Sequence, residues 1–483
     1  MSEKDKKIPL ESIMPLPDGK GINRTYIDII MQEEIPVLCI NKDNKKKRLM
    51  PFKVLFDNNG NFWQQSGVWK YFLSSEDYEK LKEKSIVKAG DWELERPKKA
   101  SNTLKKTNAE ELEELKAEAA AGYGSEIQKF ADMSVEDKVN HLKLNKSNLD
   151  MLNSKTNDNK VITEALVDST KDAALINHLV FKEALQVVDE EAKKLTKDIV
   201  DTTHEMVKSS VQLISSEKFF NDDLMNTLVS KSNGTIVQHM TRVFLNGIAF
   251  LSYFNKLVST SSTIQKLRIS FVEKYRKFYH ALLPGFAADN IILERVFMGG
   301  MRAIPPDMLY KWSVGFLVHD IGKAAAVEYH EGEASYNRDI VTEHVKLGYK
   351  SIVSKTNYPI EASLITGYHH EYYGDTSGYG YFRAYLQQYK KQNPGAKQEY
   401  CITYDVDPII DFKALAYFPA KVLEIIDVYD SVTDPLRVYH NAMTPEEALN
   451  MMRKEFIEKR RKLDAILFDI FVDFIHEKQK AQK

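Results

Sequence analysis

At 483 residues the chain is longer than one hydrophobic core usually organises, and two or three domains are expected. A hydrophobic content of 43% is ample for globular folding, and a formal net charge of -2 gives no global attraction to a nucleic-acid polymer. Two cysteines, Cys39 and Cys401, lie too far apart in sequence to suggest a disulfide framework and suit a reducing cytoplasm. The charged stretch from Met1 to Lys7 has no apolar core behind it, and no run of about 18 uncharged apolar residues occurs. Neither a signal peptide nor a membrane span is therefore expected.

Residues 1–97 mix strand and helix signals and read as a small α+β regulatory domain. Ile35 to Ile40 and Leu49 to Phe56 are strand candidates either side of the turn Asn41 to Asn44. Asp57 to Asn61 is a second turn, followed by strand candidates at Phe62-Trp63 and Val68 to Phe72. Ser74 to Asp77 caps a helix running to about Lys84. Residues 98–160 are rich in Lys, Asn, Asp and Ser and read as a polar, partly helical linker.

From Ile162 the apolar residues recur at helical spacing through Leu166, Ala173, Ile176, Val180, Leu185, Val188, Ile199, Met206 and Val211. Residues 161–218 thus read as a long helix or stalk, and a homodimer through 162–215 is expected. Residues 219–483 carry successive helical patterns at 222–232, 236–258, 262–282, 289–303, 308–324, 338–355, 359–368, 413–429, 445–457 and 462–476, without strand–helix alternation. The expected fold class is mainly α.

Within those helices sits a set of imidazoles and carboxylates. His319-Asp320-Ile321-Gly322-Lys323 closes the apolar segment Trp312 to Val318. An imidazole next to a carboxylate offers two metal ligands at one helix end. Lys323, four residues after His319, falls on the same helical face. His239 lies on an amphipathic helix, His344 in Glu343-His344-Val345, His369-His370-Glu371 after Leu364 to Tyr368, and Asp427 in Ile426-Asp427-Val428-Tyr429-Asp430. Such groups on otherwise apolar helices cost several kcal/mol each unless paired or metal-bound. Helix bundles build dinuclear sites by aiming ligands inward from several helices. Asp430, one turn beyond Asp427, is a candidate to support a ligand. His141, His178, His204, His280 and His476 read as solvent-facing or linker residues.

The order His, His-Asp-Ile-Gly-Lys, His, His-His-Glu, Gly-Tyr, Asp-Val-Tyr-Asp resembles the HD superfamily of metal-dependent phosphohydrolases. His369-His370-Glu371 with Ser377-Gly378-Tyr379 resembles its HD-GYP branch, and the similarity covers roughly residues 225–455. The resemblance implies an HD-type helical bundle that hydrolyses cyclic di-GMP to linear pGpG, or on to GMP, through a hydroxide bridging two divalent ions, iron or manganese, about 3.5–4 Å apart. It makes His239, His319, Asp320, His344, His369, His370 and Asp427 metal ligands, with Asp320 the bridge. It gives Lys323 to the substrate phosphate, and Tyr379, Arg437 and His440 to the substrate.

The chain also departs from the family. Gly380 stands where Gly-Tyr-Pro has proline, which predicts a looser loop. A tyrosine-rich insertion runs from Tyr381 to about Asp411, and Thr235 occupies the place where some members carry an acidic ligand for a third ion. Two readings stay open beside hydrolysis of cyclic di-GMP: a receptor that binds it without cleavage, and a phosphohydrolase of another nucleotide.

Overall fold

The structure, a computed structural model, describes residues 127–155, 158–216, 236–283, 285–325, 338–373, 378–382, 399–434 and 442–481, together with four strands nearer the N-terminus. The chain is mainly helical and divides into two units, Met1–Lys106 and Thr107–Lys483. No helix among the described residues is long and apolar enough to cross a membrane.

In the first unit, β1 (Lys7–Pro9), β2 (Pro36–Asn41), β3 (Lys47–Pro51) and β4 (Trp69–Ser74) form one antiparallel sheet in the order β1-β4-β2-β3. Leu38 is opposite Leu49 on one side and Phe72 on the other. Only β1 lies outside the expected strands; three residues ending in proline are too short to show an alternating pattern, and proline suits the sheet edge that β1 occupies. The helix expected to Lys84 and the strand expected at Phe62-Trp63 lie outside the described residues.

The second unit begins with a departure. Residues 135–155, expected within a polar, partly helical linker, form a helix, α1 (Val135–Lys155), that is packed into the unit. Val139, Leu142 and Leu149 are buried, and α1 packs on α2 (Asn159–Ala184) and α3 (Asp189–Ser215). Several of its polar residues pair with the neighbouring helices: Lys138 Nζ lies 2.9 Å from Glu183 Oε1, His141 Nε2 2.7 Å from Asp172 Oδ2, and Ser209 donates to Asp150 Oδ1 at 2.6 Å. A narrow apolar stripe with specific polar pairs has the composition of a linker without being one.

The expected single stalk is two helices packed against each other. The chain breaks at Leu185 to Val188 with neither glycine nor proline; Val188 is extended, and Asp189, Glu190 and Glu191 start a new helix favoured by its dipole. Leu166, Ala173, Ile176 and Val180 of α2 and Ile199, Met206 and Val211 of α3 are buried inside this unit. The stripe read as a partner surface therefore belongs to the bundle.

Then come α4 (Ile236–Val258), α5 (Ser261–Lys274), α6 (Arg276–Leu282), α7 (Pro306–Val318), α8 (Arg338–Lys355), α9 (Ile360–Tyr368), α10 (Phe418–Thr433), α11 (Pro445–Met452) and α12 (Ala465–Ala481). Two expected helices are cut short. The 289–303 pattern yields a 3₁₀ turn at Ala288–Asn290 and the short helix Leu293–Val296, beyond which Gly299 and Gly300 both take φ of 81°. The 413–429 pattern starts as strand β6 (Ala414–Tyr417), which pairs in parallel with β5 (Glu399–Thr403) from the insertion. Pro306 and Pro419 stand in the first turns of α7 and α10, where no amide hydrogen is missed. Trp312, buried against Tyr404, Tyr417 and Phe418 at ring-centre distances of 6.0, 6.3 and 5.5 Å, anchors the helix that ends at His319.

Candidate metal centre

Five helices converge on one buried cluster. α4 brings His239; the end of α7 brings His319 and Asp320; α8 brings His344; the end of α9 brings His369 and His370; and α10 brings Asp427. All seven are buried, none more than 7% exposed. Their ligand atoms form three overlapping groups, each within 4.8 Å: His239, His319 and Asp427; His344, His369 and His370; and His319, Asp320 and His369.

Asp320 lies between the first two groups. Its Oδ2 is 3.5 Å from His239 Nε2 and 3.6 Å from His319 Nε2. Its Oδ1 is 3.0 Å from His344 Nε2 and 3.8 Å from His369 Nε2. One carboxylate thus turns an oxygen to each group.

The imidazoles are oriented by what their other nitrogens touch. His319 Nδ1 is 2.9 Å from the Phe316 carbonyl and His369 Nδ1 2.7 Å from that of Thr366. A carbonyl only accepts, so each Nδ1 carries the hydrogen, and in the neutral ring Nε2 keeps its lone pair. His239 Nδ1 lies 2.7 Å from Asp430 Oδ2, and His370 Nδ1 lies 3.4 Å from the Tyr372 hydroxyl. Such partners fix a ligand's ring and tautomer. The buried His319 Nε2 has no hydrogen-bond partner.

Electrostatics points the same way. Burial, opposed by Asp320, lowers His319 to about 3, and burial likewise lowers His344 and His370. Burial works against ionising Asp320, but Lys323, His319 and His344 outweigh it and hold the carboxyl well below its ordinary range. Asp427 is held down against burial chiefly by His239. The rings of His319, His344 and His370 are therefore neutral, and the Asp320 and Asp427 carboxylates charged. Four buried carboxylates, Asp320, Asp427, Asp430 and Asp434, face the cationic side chains of Arg242 and Lys323, an excess of negative charge that bound cations would relieve. With nitrogen and oxygen donors and no thiolate, the residues fit a pair of hard or borderline divalent ions.

Lys323 follows in a 3₁₀ turn and contacts Asp320 Oδ2. The ring of Tyr379 lies 4.3 Å from that of His370 and 6.2 Å from that of His344. Arg437, His440 and Thr235 lie outside the described residues. Sequence reasoning missed Tyr372, because tyrosine is common beside helix ends and only its contact with His370 singles it out.

Two backbone contacts hold the frame. A Cβ on Gly322 would come within 1.9 Å of the His344 carbonyl oxygen and 2.6 Å of Gly348 N, so the turn after Asp320 and helix α8 meet backbone to backbone. The loop expected to be loose at Gly380 is fastened: Tyr379 N and Gly380 N both donate to the His370 carbonyl at 3.0 Å. A Cβ on Gly380 would lie 2.7 Å from Glu371 Cα, so the glycine permits a close approach that proline would block.

Histidines outside the cluster also differ from expectation. His141 is paired with Asp172, and His178 is only partly exposed, with its Nδ1 shut away from solvent.

Compared with protein-family models, curated proteins and solved structures, the chain finds no match.

Proposed function

We propose that the chain is a metal-dependent phosphodiesterase acting on cyclic di-GMP, with two divalent ions, iron or manganese, held by His239, His319, Asp320, His344, His369, His370 and Asp427. The observation that carries this is Asp320, which turns one oxygen to each of two ligand groups. Ions bound there would supply Lewis-acid polarisation of a phosphate oxygen and a water of lowered pKa. The chain's own residues do the rest. His319, His344 and His370 present neutral rings, and the close backbone contact at Gly322 keeps Asp320 in register with His344. The Lys323 ammonium lies beside Asp320, from where it can turn to a substrate phosphate once cations share the carboxylate's charge. The choice of cyclic di-GMP rests on the motif order and on Tyr379, Arg437 and His440 as its contacts. With Thr235 in place of an acidic residue, linear pGpG is the favoured product.

A homodimer through 162–215 would have to use the outer faces of α2 and α3, since their apolar stripes are buried.

The test is metal analysis of anaerobically purified protein beside a cyclic di-GMP turnover assay. About two ions per chain and release of pGpG are expected, with both lost in Asp320→Ala. Turnover by metal-verified Asp320→Ala would sink the assignment, and binding without product would favour the receptor reading.

A further inference from the structure

We infer that Arg242 is a positioning residue for the ion site of His239, His319 and Asp427, and that it acts through Asp430. The inference rests on the ion-binding reading above.

Helix α10 and its C-cap place Asp427, Asp430 and Asp434 at intervals of three and four residues, along one side of the helix. Helix α4 sets His239 and Arg242, three residues apart, against that side. The guanidinium grips Asp430 with two bonds: Nε donates to Oδ1 at 2.7 Å and Nη2 to Oδ2 at 3.0 Å. Nη2 also donates to Asp434 Oδ2 at 2.6 Å. Asp430 Oδ2, held from that side, lies 2.7 Å from His239 Nδ1, and His239 Nε2 lies 2.9 Å from Asp427 Oδ1. Arg242, Asp430 and Asp434 are all at most 5% exposed, so water does not compete for these bonds.

The geometry has a consequence that a simple charge pair would not. A carboxylate held by one bond can rotate about its Cβ–Cγ axis, whereas a planar fork fixes both oxygens and hence the carboxylate plane. With that plane fixed, Asp430 Oδ2 stays on the line of the His239 Nδ1–H bond. The hydrogen is then held at Nδ1 and the Nε2 lone pair stays aimed at the ion. A lysine keeps the buried charge but, as a point donor, cannot hold the plane. Loss of a ligand's supporting bond typically weakens ion affinity by about 10–100-fold.

The experiment titrates metal-free, full-length protein with Mn2+ in a calorimeter and records the thermal melt of each metal-free variant. Wild-type protein should bind two ions. Arg242→Lys, which keeps the buried positive charge, should bind one ion as wild type does and the other about 10–100-fold more weakly. Two ions bound with wild-type affinity by Arg242→Lys would overturn the inference, and so would equal weakening of both in a protein that melts as wild type does. Should Arg242→Lys fail to fold, Asp430→Asn is the second variant. It is isosteric and weakens the fork without removing the guanidinium, and full affinity for both ions in it overturns the inference as well. Wild-type protein that binds no Mn2+ would fail the ion-binding reading itself.

Discussion

At the scale of single residues, the chemistry of ligation made the site legible. Few side chains can hold a divalent ion, so His-Asp, His-His and a lone aspartate on apolar helices are conspicuous in sequence. Arg242 was not conspicuous, since arginines are common on helices and its partner Asp430 is 188 residues away. Gly380 was conspicuous but misread: absence of proline suggested looseness, whereas the backbone there donates to His370 and leaves no room for a Cβ. Gly380→Pro, which would bring the loop closer to the family pattern, should therefore destabilise the protein. It removes the Gly380 amide bond to His370 and drives ring atoms into Glu371, at a cost of about 2–4 kcal/mol. Urea denaturation of the metal-free protein checks this, and an unchanged midpoint would mean that the loop yields without strain.

At the scale of elements, periodicity located the helices of the bundle but not their interruptions. The break after α2 uses no glycine or proline, and strand β6, just before α10, uses residues that suit either state. α1 was hidden for a different reason. Its composition is that of a linker, and it docks through pairs whose partners lie 45 and 59 residues away in α2 and α3. That docking is testable at Lys138, 1% exposed, whose partner Glu183 is 45% exposed at its side chain. Glu183→Ala should cost about 1–2 kcal/mol, the partial exposure of Glu183 limiting the loss. Hydrogen exchange should quicken in residues 135–155 and not in α10. Equal quickening in both would show that α1 is not a separately docked element.

At the scale of the whole molecule, the chain divides near residue 106, and the helices from α1 onwards lie in one unit. That unit encloses neutral imidazoles, and this sets its response to acid. Burial lowers His178 to about 4 and His319 to about 3, whereas in the unfolded chain both titrate near 6.5. A depressed folded pKa gives stability that is fully present above the unfolded value and lost as pH falls towards the folded one. Each such ring should cost the metal-free protein up to about 1.4 kcal/mol per pH unit from about pH 6.5 downwards, and the two together outweigh the buried Glu424 carboxyl, which burial raises to about 7 and which acts in the opposite sense. Thermal melts between pH 7 and pH 5 check the sign, and a melting temperature that holds or rises would refute it. His178→Asn should flatten the slope. Added Mn2+ should delay the loss, since protons and ions compete for the same nitrogens.

The backbone contact between Gly322 and Gly348 also bears on how the chain can change over generations. A Cβ on Gly322 would lie 1.9 Å from the His344 carbonyl oxygen, and one on Gly348 would lie 2.7 Å from the Thr366 methyl and 3.3 Å from Gly322 N. No residue is smaller than glycine, so neither position has a neutral substitution next to it. A change at Gly322 forces helix α8, with His344, away from Asp320, and a change at Gly348 presses on Thr366. Drift is blocked at these two positions even though neither side chain takes part in any chemistry.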